Sequence, residues 1–290
     1  MIKNDRLIQC YEKGSLLKNN DDVEGFEKYL QNGRNQQTAK QWLSLAKQYA
    51  YVLEVGNAND LLTLADAKRL HIMKALAILA KFYGIREEWR RIKDNYGLKW
   101  TSENNDLRTF QAITSSNNYQ TMIESLKQVC VKLPKSHASI LLYMTLTGLR
   151  PVEAITSMKL IKTEFDNYYN PELSLIEHFR YPKLFIRRTK KAFLSVVDKR
   201  IVELAKAGKS IDYSGMWDYL HIHNLNFQMK NCRKIHGTYL RKNGIDIEMI
   251  DLLQGRLPKG VFLRFYNRPS FSEECDKVRT QIIKLHSDIT

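Results

Sequence analysis

Arg150 stands in the run LLYMTLTGLRPVEA, two residues after a glycine suited to ending a helix and just before a proline suited to starting one. That spacing puts Glu153 at the third helical position and Arg150 at the cap. A cap is normally Ser, Thr, Asp or Asn, whose oxygen accepts a backbone hydrogen bond, and a guanidinium has no acceptor to offer. Its planar fork of donors matches a phosphate or a carboxylate instead. A surface arginine tolerated at a boundary fits the same position. In KNCRKIHGTYLRKNG, Lys230 and Arg233 are three apart and share a helix face. Two cations there repel unless an anion lies between them, although Lys234, Arg241 and Lys242 also fit a generally basic helix. The run IDIEMIDLLQG ends at Gly255 with Arg256 directly behind it, and Tyr266 follows in VFLRFYNRP. By type alone Tyr266 is one of 15 tyrosines and reads as core or surface.

The charge balance agrees with an anionic partner. The 290 residues carry 46 Lys+Arg against 31 Asp+Glu, a net +15, which argues against an average enzyme for small neutral substrates. Residues 1–110 hold 18 basic and 14 acidic groups, whereas 111–290 hold 28 and 17, so the C-terminal part should hold a polyanion more tightly. At 43% hydrophobic residues the chain can bury a real core. No apolar run is long enough to span a bilayer and the N-terminus is too polar for a secretory signal, so a soluble, intracellular protein is expected. Cys10, Cys130, Cys232 and Cys275 form no CxxC pair, and His221 and His223, two apart, diverge; neither a disulfide framework nor a metal site is expected.

These residues need a scaffold, and the pattern predicts a mainly α one. Residues 23–33, 38–56, 66–84 and 85–97 read as helices that close at Gly33, Gly56, Gly84 and Gly97. They suggest a small helical DNA-clamping domain, though solvated basic faces fit the same lysines. The Ser, Thr and Asn-rich stretch 101–120 reads as a linker. Residues 122–133 and 136–147 then look helical, and another helix starts with Pro151. In KLFIRRTKKAFLSVVD, residues 183–198, two apolar runs flank a basic centre, as in a hairpin with a charged tip. From Ile201 onward the chain is again helical, with breaks at Gly208, Gly244 and Gly255. The amphipathic final helix, SEECDKVRTQIIKLHSD, fits either packing in its own domain or, the favoured expectation, docking on an adjacent protomer.

Taken in order, TGLRPVEA, a basic hairpin, KNCR, a helix ending LLQGR and then FYN resemble the catalytic domain of the tyrosine site-specific recombinases, the integrase family. Arg150 matches that family's first arginine, and Lys190, with Lys191 as rival, matches its hairpin lysine. Lys230 and Arg233 stand where HxxR is usual, Arg256 stands where His or Trp is usual, and Tyr266 matches the nucleophile. The two departures, Lys for His and Arg for His or Trp, are similar to the R…K…KxxR…R…Y pattern of integrases from archaeal spindle-shaped viruses and related plasmids. The resemblance covers roughly residues 120–290 by motif. It implies a helical core-type DNA-binding domain at 1–100, a linker at 101–120 and a catalytic domain at 121–290.

The resemblance also implies the chemistry. Tyr266 would attack the scissile phosphate, Arg150 and Arg233 would grip its non-bridging oxygens, and Lys230 and Arg256 would add donors as charge gathers. Lys190 would protonate the departing 5′-oxygen, leaving a 3′-phosphotyrosyl bond that another strand's 5′-hydroxyl can reseal. It further implies duplex attachment sites as partner, a homotetramer on DNA, no cofactor or metal, no membrane partner, a nucleoid-associated cytoplasmic setting in a host cell, and integration or excision of a viral or plasmid genome. A type IB topoisomerase-like nicking-closing enzyme and a catalytically inactive DNA-binding regulator are the alternatives. Whether Tyr266 would serve its own site or a neighbour's stays open.

Overall fold

The computed structural model describes residues 16–32, 36–100, 107, 110, 111, 114, 119–187, 189–257 and 270–290. It is mostly helical, with one small antiparallel sheet, and divides into two units, residues 1–114 and 115–290. Of the segment 101–120, expected to be a linker, Leu107, Phe110, Gln111, Thr114, Tyr119 and Gln120 are described, and all are helical. No described helix is long and apolar enough to cross a membrane.

The first unit contains α1 (Asn20–Gln31), α2 (Gln36–Tyr49), α3 (Tyr51–Val55), α4 (Asn59–Leu62), α5 (Asp66–Phe82) and α6 (Arg86–Asn95). Gly56, Gly84 and Gly97 follow these helices at φ of 71°, 76° and 59°, the left-handed conformation that the pattern anticipated; Gly33 lies outside the described residues. The short α4 was not anticipated. The core joins Phe26 and Leu30 of α1 to Ala46 of α2 and Ile72, Leu76 and Leu79 of α5. Phe82 closes it between Phe26 and Tyr83, with ring centroids 5.2 and 5.1 Å away.

The second unit is built on α8 (Lys135–Thr147), which lies between α7 (Tyr119–Lys132), α12 (Lys199–Ala207) and α14 (Lys230–Lys242). Nearly every α8 side chain is buried, as expected for a helix apolar all round. Thr145 and Thr147 satisfy their hydroxyls on the carbonyls of Leu141 and Tyr143, at 2.8 and 2.7 Å. Gly148 ends α8 at φ 66° and Pro151 starts α9 (Pro151–Thr163), as the motif requires. After α10 (Phe165–Tyr168) come β1 (Tyr169–Asn170) and β2 (Leu175–Ile176). A turn of 3-10 helix, α11 (Pro182–Phe185) and β3 (Ser195–Val196) then follow. The sheet order is β1-β2-β3, with Leu175 opposite Val196 and Ile176 opposite Ser195.

The expected hairpin over 183–198 is only partly present. Its tip exists: Ile186 bridges Lys191, and Arg187 N–H donates to the Lys190 carbonyl at 3.0 Å. Its first arm does not extend as a strand, because Pro182 sits at the first position of the helical turn α11. The second arm supplies β3, which pairs with β2 instead. The remaining helices are α13 (Tyr213–Ile222), α15 (Ile247–Leu253) and α16 (Phe271–Ile289). Of the two arrangements expected for α16, the structure shows the packing within its own unit. Cys275, Val278, Ile282, Leu285 and Ile289 are buried in its own unit, against α7, α8, α14 and β3. Arg279 fastens it by donating to the Leu173 carbonyl at 2.8 Å.

Candidate functional site

Three segments far apart in sequence supply one open cleft of about 1000 Å³ in the second unit. Arg150 lines it from the start of α9, Arg187 and Lys190 from the turn between α11 and β3, and Lys230 and Arg233 from the first turn of α14. No Asp or Glu is among the described lining residues. Because α9 and α14 both begin here, the positive ends of two helix dipoles add to the five cations.

Glu153 lies behind this wall, 1% exposed, and sets the position of two of the cations. Its carboxylate accepts from Arg150 Nη1 at 2.9 and 3.1 Å, from the Arg150 backbone N–H at 3.2 Å and from Arg187 Nη2 at 3.0 Å. Arg150 Nη1 also reaches the Lys191 carbonyl at 3.1 Å. Its Nε and Nη2 have no acceptor among the described residues, so half the fork is held and half is unused. The role of Glu153 was visible only as a helix-start preference. Arg187 was visible only as part of the basic RRTKK run.

Arg233 is held differently. Nη1 donates to the Gly148 carbonyl at 2.9 Å and Nη2 to the Gln254 carbonyl at 2.5 Å, so one guanidinium ties the ends of α8 and α15 to α14. Among the described residues no carboxylate pairs with it. Burial, with Arg150 and Arg256 adding like charge against the opposing Glu153 and Asp251, pushes the guanidinium down to about 10. It stays charged at neutral pH, and a bound anion would relieve that strain. The α8 end must come close for this contact. A Cβ at Gly148 would lie 2.4 Å from His236 Cδ2, so the position needs glycine for space as well as for its φ. His236 donates through Nδ1 to the Thr145 carbonyl at 3.1 Å, and burial pushes it down to about 4.

The other expected residues divide plainly. Lys190 lines the cleft and Lys191 does not; Lys191 contributes its carbonyl to Arg150. Lys190 and Lys230 have no ion-pair partner among the described residues. Arg256 is not part of the lining. It follows Gly255 and its Nη1 pairs with Asp251 at 2.7 Å, within electrostatic reach of Arg233. Tyr266 lies outside the described residues. Among the described residues no group of three or more His, Cys, Asp or Glu is placed to hold a metal. His221 stacks on Trp217, whereas His223 lies tilted against a different ring, Tyr219.

No protein-family model matches the chain, and no curated protein matches it.

Proposed function

We propose that the chain is a tyrosine recombinase that cleaves and rejoins duplex DNA through a 3′-phosphotyrosyl intermediate, serving integration or excision of a mobile genome. The observation that supports this reading is the meeting of Arg150, Lys190, Lys230 and Arg233 in one cleft whose described lining has no Asp or Glu. These are the motif cations, successively 40, 40 and 3 residues apart in sequence.

In this reading the unused edge of Arg150 and the charge of Arg233 take the two non-bridging oxygens of the scissile phosphate. Lys230, at the start of α14, adds a mobile cation to the charge that builds on the phosphorane. Tyr266 is the nucleophile. A phenol has an ordinary pKa near 10, and the cationic surroundings favour its phenolate. The Tyr266 oxygen forms the new P–O bond, the bond from phosphorus to the 5′-oxygen breaks, and Lys190 hands a proton to that oxygen. The phosphotyrosyl ester conserves the bond, so an incoming 5′-hydroxyl reverses the step and rejoins the strand. Arg256 acts through charge beside Arg233. The helical first unit is read as the second half of a DNA-binding assembly, and a homotetramer on DNA is the working assembly.

The test is incubation with DNA carrying a suspected attachment site, followed by a search for a denaturant-resistant protein–DNA adduct. The wild-type chain should give the adduct and Tyr266→Phe should not. Equal, background-level adduct from both on a proven site defeats the reading. An adduct without strand transfer between two sites identifies a nicking-closing enzyme instead.

A further inference from the structure

Besides the cations, the cleft has an aromatic wall that the phosphate chemistry does not use. Tyr213, Trp217 and His221 are four residues apart along α13 and form one stripe of that helix, and all three line the cleft. The adjacent stripe of α13 carries the buried Met216 and Leu220, so the core anchors the helix while its rings are left at the opening. Trp217 is 51% exposed and Tyr213 42%. The Trp217 ring lies nearly parallel to His221, with centroids 5.1 Å apart and an interplanar angle of 11°.

The segment joining this wall to the cations is also shaped for the cleft. From Leu225 to Lys230 burial alternates, with Phe227 and Met229 inside and Asn226, Gln228 and Lys230 outside. Asn226, Gln228 and Lys230 all line the cleft, so amide groups join the aromatic stripe and the cations in its lining. Rings to stack on, amides to hydrogen-bond an edge, and cations for a phosphate are together the parts that hold one unpaired nucleotide. A fully paired duplex keeps its base faces covered, so flat rings gain stacking area only from a base that has left the helix.

We infer that the Tyr213–Trp217–His221 stripe receives an unstacked base next to the phosphate held by Arg150 and Arg233. The inference rests on the DNA-cleavage reading and adds a substrate feature to it. The enzyme binds a strand whose base beside the scissile phosphate is extrahelical, and the base is retained there while the strand is open.

The experiment measures binding of the full chain to three short duplexes of otherwise identical sequence. One is fully paired, one has a single extrahelical thymidine, and one has an abasic residue in its place. The thymidine bulge should bind about tenfold more tightly than the abasic bulge, as expected for one base–aromatic stack. Trp217→Ala should reduce that ratio to about one, and Trp217→Phe should keep most of it. Because Trp217 is half exposed, its circular dichroism and melting profile should stay close to wild type, which separates loss of stacking from loss of fold. Equal binding of the two bulges by wild type, or a preference that survives Trp217→Ala, overturns the inference. If Tyr266-dependent adduct still forms, the recombinase reading survives that loss. Failure to bind any duplex removes both.

Discussion

Arg233 donates to the backbone carbonyl of Gly148, 85 residues away in sequence, over 2.9 Å. The contact joins the end of α8 to the first turn of α14 and brings the two arginine-bearing motifs, TGLR and KNCR, to one cleft. It depends on fork geometry, because the same guanidinium also holds the Gln254 carbonyl. Arg233→Lys keeps the charge, but one ammonium cannot reproduce both donors in a fixed plane. The expected outcome is a folded protein whose rate of phosphotyrosyl adduct formation falls by about two orders of magnitude. Single-turnover cleavage beside a melting curve checks it; wild-type cleavage by the lysine variant would mean that charge alone suffices.

Glu153 is the buried anion that two cations share, so its removal should loosen both. Glu153→Gln retains the volume and an acceptor for the Arg150 N–H but loses the charge facing Arg150 and Arg187. Both arginines are partly solvated, which reduces the cost below that of a fully buried pair. A loss of about 1–3 kcal/mol is expected, with a larger loss for Glu153→Ala. Denaturant titration measures it. Adduct formation should fall more steeply than stability, since Arg150 would lose the contact that fixes its orientation.

The parts of this arrangement with chemical punctuation were legible in the sequence. A left-handed helix end favours glycine and a helix start tolerates proline, so Gly148 and Pro151 marked the α8–α9 junction and located Arg150 at the cap. The sheet had no such marks, because strands of two residues are too short to show alternation. Pro182 converted the expected hairpin arm into a helical turn for a local reason that tertiary pairing did not override. In α16 the apolar stripe announced that something covers it, but amphipathicity does not say whether the cover is the same chain. Arg187 was hidden for a similar reason. In RRTKK four of the five residues are basic, and only the fold selects which side chain reaches Glu153.

Gly255 is held against the turn that carries Lys190. A Cβ there would lie 1.7 Å from the Lys191 carbonyl oxygen, at a φ of 70°. Gly244 shares the left-handed conformation, at φ 80°, but has nothing within 4 Å. Gly244→Ala should therefore cost about 1–2 kcal/mol, the strain alone. Gly255→Ala should cost distinctly more and should displace the turn that positions Lys190 and receives Arg150. Paired urea titrations of the two variants distinguish these effects; equal losses would show that the Lys191 contact yields easily.

Acid should destabilise the second unit well before its carboxylates titrate. Burial pushes His178 down to about 3 and His236 to about 4, from an ordinary 6.5, and lowers His137 and His286 in the same direction. The folded state keeps these rings neutral while the unfolded chain protonates them. Their contribution is present above pH 6.5 and is lost as pH falls from there toward the folded values. His178 also cannot accept a second proton without disturbing its contacts with Tyr168 and Ser195. With His178 and His236 acting fully, stability should fall by about 2–3 kcal/mol per pH unit near pH 5. Unfolding free energies from pH 7 to 4.5 measure that slope, and a flat profile would mean that these histidines are open to solvent.

Arg187 offers the sharpest separation between holding a phosphate and supporting the fold. Its side chain is 42% exposed and, among the described residues, pairs only with Glu153, which retains Arg150 when Arg187 is lost. Arg187→Ala should change the melting temperature little. If Arg187 contacts the DNA backbone, the variant should also reduce the slope of log affinity against log salt by about one, because one fewer counterion is displaced. Lys206 serves as the control. It is a cation on α12 paired with Glu203, and Lys206→Ala should leave the slope as in wild type. A reduced slope for Arg187→Ala alone would extend the DNA-facing surface to a residue outside the recombinase motif, whereas equal slopes for both variants would confine Arg187 to bracing Glu153.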